Sequence, residues 1–317
     1  FIMKKNSLIL SWASKFLIFL FTITPIFGIP TLKAAEKGYV YADIQAKGKM
    51  DGSYNHPFSK IQDAIDLAEK EKKNVKVRKG TYRENIYLPE KVELSGTSYK
   101  EVIIRAKNDN KPVATMKNDS AIKNVTLEKG EVGVYIGKDA GVLIKDCLIR
   151  KNDEDGIRAK KGASKKDKLV VVNTKIEDNG WTGIFSEKRS VHLENNEIID
   201  NDKDGIDLAE KSKGAVRSNY IKKNNGVGIK IAIDRSDLEI KKNTIRENRK
   251  DGIEVKTRGK SGWVKIDRNK FQRNGSYGIA RIQKGKFSAK NWNESLKIIN
   301  RNTYTGNKRA NVSPIIF

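Results

Sequence analysis

Side chains with chemical potential recur at fixed intervals along this chain. Tyr135, Arg158, Phe185, Asp207, Lys230 and Glu254 each stand two residues after a glycine. Two positions further on stand Lys160, Glu187, Ala209, Ala232 and Lys256. Guanidinium and ammonium groups pair with carboxylates or sulfates, and aromatic faces stack on sugar rings. Lys230 with Arg158, Asp207 and Glu254 is the set best suited to proton transfer. If these residues share one face, they form a mixed row of cations, carboxylates and rings that suits a polysaccharide. The competing reading is an ion-pair ladder on a solvated sheet, since opposite charges across strands stabilise modestly.

Other reactive residues are few. His192 lies in Ser190-Val191-His192-Leu193-Glu194 at an outward strand position and reads as a surface histidine. His56 sits in a loop, where turn chemistry explains it. Cys147 is the only cysteine, so no internal disulfide forms. It occupies a place that asparagine fills elsewhere and reads as a structural variant. Asp153, Glu154, Asp155, Asp202, Asp204 and Asp251 precede successive glycines and could gather around calcium, which needs several converging oxygens. Turn propensity alone also explains aspartate there. No cofactor motif is present.

What positions the row is a repeat. Gly followed by an aliphatic residue recurs at Gly133, Gly156, Gly183, Gly205, Gly228, Gly252 and Gly278, with spacings of 23, 27, 22, 23, 24 and 26. Asn-x-(Ile/Phe)-x-x-Asn keeps the same period at Asn196–Asn201, Asn219–Asn224, Asn243–Asn248 and Asn269–Asn274, and at Asn302–Asn307 with Tyr304 in the apolar place. A period of 20 to 50 residues marks a solenoid. Asn tolerates the left-handed conformation of a sharp corner, and stacked amides can bond along the axis. The glycine is expected to serve another corner with positive φ. Gly252-Ile253-Glu254-Val255-Lys256 alternates, so Ile253 and Val255 point inward and Glu254 and Lys256 outward. A leucine-rich solenoid has a similar period but needs several leucines per repeat, and here Ile, Val and Asn carry the pattern. The fold class is therefore all-β, a right-handed parallel β-helix with coils of about 23 residues.

Upstream, Pro57 to Ala68 reads as an amphipathic helix with Ser59 as candidate N-cap and positions 61, 64, 65 and 68 on one face. A solenoid needs such a capping helix over its terminal core layer. Val75 to Ile86 then gives a strand, a turn and the first coil. Phe58 to Ala68 followed by Val75 to Ile86 resembles the opening of pectin-lyase-like proteins, and the likeness extends over about residues 39 to 307. That resemblance implies a substrate groove on the sheet after each glycine. It also implies, for a lyase, a Lys or Arg base assisted by calcium. The signatures of individual activities are missing. There is no Gly-His-Gly of polygalacturonases, no Val-Asp-Phe-Ile-Phe-Gly of pectin methylesterases and no Asp-Pro-His of alginate epimerases. Resemblance to copper-delivery β-helix proteins stops at the repeat, since two His, three Met and one Cys offer few copper ligands.

Three segments follow: a secretory signal peptide over 1–35, a cap segment with its helix over 36–72, and the β-helix over 73–317. Met3-Lys4-Lys5, the apolar run Phe16 to Ile29 and Ala34-Ala35 carry the signal reading. An uncleaved anchor is its rival. Export places the protein outside the cell or in its envelope. The net charge of +25 favours a polyanionic partner, with a generally basic, soluble surface as the equal rival reading, and among partners an acidic polysaccharide fits it best. Nucleic acid has only the charge in its favour, with no recognition motif, and no membrane partner is expected beyond the signal segment. The absent motifs favour a binding protein. A polysaccharide lyase or glycoside hydrolase, and a structural or adhesive surface protein, are the alternatives.

Overall fold

The computed structural model describes residues 38–162 and 167–317, so the segment read as a signal peptide lies outside the described residues. Among these, three parallel sheets run from Tyr39 to Ile316, with eleven, ten and ten strands. Sheet A begins at Tyr39–Ala42, sheet B at Gly80–Arg83 and sheet C at Ile86–Leu88. One coil supplies one strand to each. Asp237–Lys241 lies in A, Thr244–Arg246 in B and Ile253–Thr257 in C, and the next coil re-enters A at Trp263–Asp267. The parallel β-helix read from the sequence is the architecture found. No helix among the described residues is long and apolar enough to cross a membrane.

Alternation along each strand builds the core. Ile157, Ile184, Ile206, Ile229, Ile253 and Ile279 stack in register along the inner face of sheet C, all fully buried. Ile149, Ile176, Ile198, Ile221, Ile245 and Phe271 do the same in sheet B. Tyr304 ends that column, its ring stacked on Phe271 at 5.1 Å.

Two lines of asparagine mark the corners on either side of sheet B. One runs Asn196, Asn219, Asn243, Asn269, Asn302, and the other Asn152, Asn179, Asn201, Asn224, Asn248, Asn274, Asn307. Each Nδ2 donates to the Oδ1 of the next asparagine at 2.9–3.1 Å. In the first line Asn196 Oδ1 accepts from Thr174 N, and Thr174 Oγ1 accepts from Cys147 N. Cys147 therefore does continue the line, buried and free.

The corner residues act differently from the expectation. Along most of both lines the left-handed residue is the one before the ladder asparagine: Asn195, Ser218, Lys242 and Arg268 on one side, Asp200, Lys223, Glu247 and Arg273 on the other. The asparagine itself turns inward to satisfy backbone groups that a buried corner would otherwise orphan. The recurring glycines do not have positive φ either. They are small because the next coil lies against them. A Cβ on Gly228 would meet the Gly252 carbonyl oxygen at 2.6 Å and Asn248 Nδ2 at 2.9 Å, and Gly156, Gly183, Gly205 and Gly252 are equally tight. Glycine and asparagine keep the same period because they pack against each other.

Helix α1 spans Ile61–Glu71 and buries Ile61, Ala64, Ile65 and Ala68, the face expected, against the opening strands of sheets A and C. Its N-cap is Lys60, without a side-chain cap bond, rather than Ser59. Glu84 caps it from the first coil instead. Its two carboxylate oxygens accept Ile61 N at 2.8 Å and Gln62 N at 2.9 Å, and a carboxylate there also complements the helix dipole.

Candidate functional site

The outward face of sheet C carries the row read from the sequence. Tyr135, Arg158, Phe185, Asp207, Lys230 and Glu254 are consecutive rungs of one ladder. Rungs lie about 4.8 Å apart, so the row spans roughly 24 Å. Lys256 follows Ala232 in the parallel row two residues on, and Lys160 at the far end of that row is exposed.

Charges in the row are already paired. Arg158 Nε meets Asp155 Oδ2 at 2.6 Å, and its Nη1 bonds to Glu154. Lys230 Nζ lies 2.8 Å from Asp207 Oδ2 and 3.3 Å from Asp204 Oδ2. Lys256 Nζ is 3.9 Å from Glu254. Arg158 and Lys230 thus serve separate acid sets, with the Phe185 rung between Arg158 and Asp207, and the four residues singled out for proton transfer do not converge on one point. Burial disfavours the charge on Lys230, but Asp207 and Asp204 outweigh it and lift the ammonium well above the usual lysine range. A lyase base needs the opposite shift. Burial likewise opposes Arg158, and Asp155 and Glu154 raise it further. Glu254 is the least committed acid of the row. Burial pushes its carboxyl up despite Lys256 and Lys230.

The turn acids do not gather as a calcium set. Asp155 Oδ1 accepts Thr182 N, Asp204 Oδ1 accepts Val227 N and Asp251 Oδ1 accepts Tyr277 N, at 2.8 to 3.0 Å. Each carboxylate bridges to the backbone of the next coil. No group of three or more His, Cys, Asp or Glu stands ready to hold a metal among the described residues. His192 is a surface residue whose Nε2 lies 2.9 Å from Glu194.

Sequence reasoning named Glu154 only as a turn acid and missed Trp181 and Lys203, its companions in the turn column beside the row. Trp181 is an exposed large aromatic, 38% accessible. Lys203 Nζ lies 3.7 Å from its ring and the Arg158 guanidinium 5.0 Å. Glu154, Trp181 and Lys203 occupy one turn position in successive coils, linked by Trp181 N to Glu154 O and Lys203 N to Trp181 O. Counting two residues back from Gly156, Gly183 and Gly205 finds all three, so the signal was present in the repeat.

The geometry has its counterpart among known proteins. The family model of the right-handed β-helix region matches residues 112–262 and 213–293. The chain belongs to that family. Among solved structures it is similar to the A-module of the Azotobacter vinelandii mannuronan C-5 epimerase AlgE6, at 15% identity and a TM-score of 0.57, over 81% of this chain and 93% of that one. It is also similar to the pectate lyase Pel9A, at 12% identity and a TM-score of 0.58, over 88% and 79% of the two chains. The enzymatically active domain of tailspike protein 2 of bacteriophage CBA120 matches at 13% identity and a TM-score of 0.58, over 84% of this chain and 46% of that one. These likenesses are of fold. No curated protein matches the sequence.

Proposed function

We propose that the protein binds a polysaccharide along the outward face of sheet C, outside the cytoplasm. The observation that carries this reading is Trp181. It is a large, exposed ring with two cations over it, beside a straight row holding two more rings, Tyr135 and Phe185. A monosaccharide offers an apolar face to such a ring and hydroxyls to the neighbouring carboxylates. Similar folds named for mannuronan and pectate add an analogy, which is a weaker warrant than the site itself.

An acidic glycan agrees with the net charge of +25. The row does not supply that preference, because Arg158, Lys230 and Lys256 already face carboxylates. Glycan-affinity electrophoresis of the full chain against alginate, polygalacturonate, chondroitin sulfate and dextran tests the reading. Retention is expected, with a loss of about tenfold on Trp181→Ala, the scale of one good aromatic contact. The reading fails if no glycan retains the protein at low salt, or if Trp181→Ala binds as the parent does.

Glu254 favours a second reading, a glycoside hydrolase. A carboxyl lifted by burial suits a general acid, and Asp207 two rungs away would stand roughly 9.6 Å off by strand spacing, near the upper limit for an inverting pair. Reducing ends released by the parent and not by Glu254→Gln would establish it. Absorbance near 235 nm would reveal elimination instead.

A further inference from the structure

A second cluster of rings lies on a different sheet from the row, at the start of sheet A. Tyr39 and Tyr54 are 41% and 65% accessible, and both line a hollow of about 520 Å³ with Tyr41, Lys76 and Arg78. Its geometry is built by register. Tyr41, Lys76, Ser95, Lys123 and Lys145 are successive outward rungs of sheet A. Tyr54 comes from the loop before α1 and meets Tyr41 edge to face at 5.3 Å.

The cations here are held differently from those of sheet C. Lys76 Nζ lies 4.8 Å from the Tyr39 ring centre and bonds only Ser95 Oγ, at 3.3 Å. No carboxylate pairs with it among the described residues. The Arg78 guanidinium lies 4.5 Å from the Tyr54 ring and is fixed by Asp43 at 3.2 Å and by the Tyr54 carbonyl at 2.6 Å. One fixed cation, one free cation and two open rings therefore face one small hollow.

We propose that this hollow is a binding site for an acidic sugar, with a ring stacked on Tyr39 or Tyr54 and its anionic group on Lys76. A lone ammonium over an aromatic ring retains charge to offer, because the ring does not neutralise it. The volume suits one or two sugar rings. It does not suit a nucleic-acid strand, whose affinity comes from many phosphate contacts. The site supplies the selectivity for anions that sheet C's self-paired row lacks, and it stands apart from the function proposed for that row.

Calorimetric titration of the full chain carrying Trp181→Ala isolates this site. Trigalacturonate is expected to bind, at least tenfold more tightly than neutral galactotriose. Lys76→Gln should abolish that preference and Tyr54→Ala should weaken both sugars, with melting curves confirming that each variant is folded. Trigalacturonate presents carboxylate, and a chondroitin sulfate oligosaccharide presents sulfate as well. Tighter, Lys76-dependent binding of the second would identify sulfate as the better anion of the same site. The proposal is overturned if trigalacturonate does not bind saturably at low salt, if Lys76→Gln leaves the preference intact, or if an oligothymidylate displaces the sugar at lower concentration. Loss of binding to long glycans on Trp181→Ala, with this trisaccharide still bound, would separate the fate of the two sites.

Discussion

Asn243 tests how much the amide lines contribute to the fold. It is fully buried in mid-array. Its Oδ1 accepts Asn219 N at 2.9 Å and Asn219 Nδ2 at 3.0 Å, and its Nδ2 donates to Val216 O and Asn269 Oδ1, both at 2.9 Å. Asn243→Ala removes all four bonds. Asn219 N is then a buried donor with no partner, which costs about 1–3 kcal/mol, and the other bonds contribute about 1 kcal/mol each or less. The expected loss is about 3–5 kcal/mol, large against a whole-domain stability of roughly 5–15 kcal/mol. Asn243→Thr should cost about half as much on that scale, because a hydroxyl can still accept the Asn219 amide. The chain uses this solution itself at Thr174, whose Oγ1 accepts Cys147 N. Urea unfolding followed by circular dichroism gives the stabilities, and hydrogen exchange at the Asn219 amide reads the orphaned group directly. A loss below about 1 kcal/mol for the alanine variant, well under the cost of one orphaned donor, would refute the reasoning. So would equal losses for alanine and threonine.

Three further outcomes are expected. Gly228→Ala places a methyl 2.6 Å from the Gly252 carbonyl and should cost about 3 kcal/mol or prevent folding. Gly137→Ala, with nothing within 4 Å, should melt like the parent; similar melting of both would remove the close-approach account. In Lys230→Met the half-buried Asp207 loses its counter-charge. Burial already lifts that carboxyl and Lys230 holds it down, so the folded-state value rises further above the unfolded one. The penalty applies where Asp207 is ionised and is relieved by protonation, so the melting deficit should be largest near neutral pH and shrink as pH falls through the carboxyl range. The pair is partly exposed, which limits the deficit to about 1–3 kcal/mol, and a deficit independent of pH would contradict the assignment. Cys147 is 2% accessible and burial pushes its thiol up to about 12. A thiol reagent at pH 8 should label it only after unfolding, and fast labelling of the native chain would show that its corner opens.

The period was legible because it is written in two residue types, but the reason for it was not. Both asparagine and glycine have turn propensity, and the sequence offers that explanation first. Only the side-chain geometry shows that each glycine is small to admit the asparagine of the next coil, and that the left-handed corner falls to the residue before the ladder asparagine, be it Lys, Asp, Ser, Arg, Glu or another Asn. The helix cap shows the same limit. Ser59 is the local candidate, while the group that binds Ile61 N and Gln62 N is Glu84, placed there by the first coil. The outward row could be read because strands alternate with period two. The ladder pair of Asp207 with Lys230 could be read too, but not the share of Asp155 and Asp204, which reach the row from the turns.

In a parallel stack with matched register, equivalent positions of successive coils stand about 4.8 Å apart, so a column of like charges repels itself. Sheet C avoids this by alternating Asp207, Lys230 and Glu254. Such a column neutralises its own charge and retains little for an ionic ligand. Net charge therefore predicts a partner only where the alternation breaks. Sheet A breaks it, with Lys123 directly beside Lys145 on its outward face. Those two each lie near an acid, Glu93 at 2.7 Å and Asp146 at 3.7 Å. Lys76, two rungs from Lys123, has only a hydroxyl and a ring. The place to seek anion selectivity is thus where the solenoid's first coils leave a cation unanswered, and not the long row that the repeat makes conspicuous.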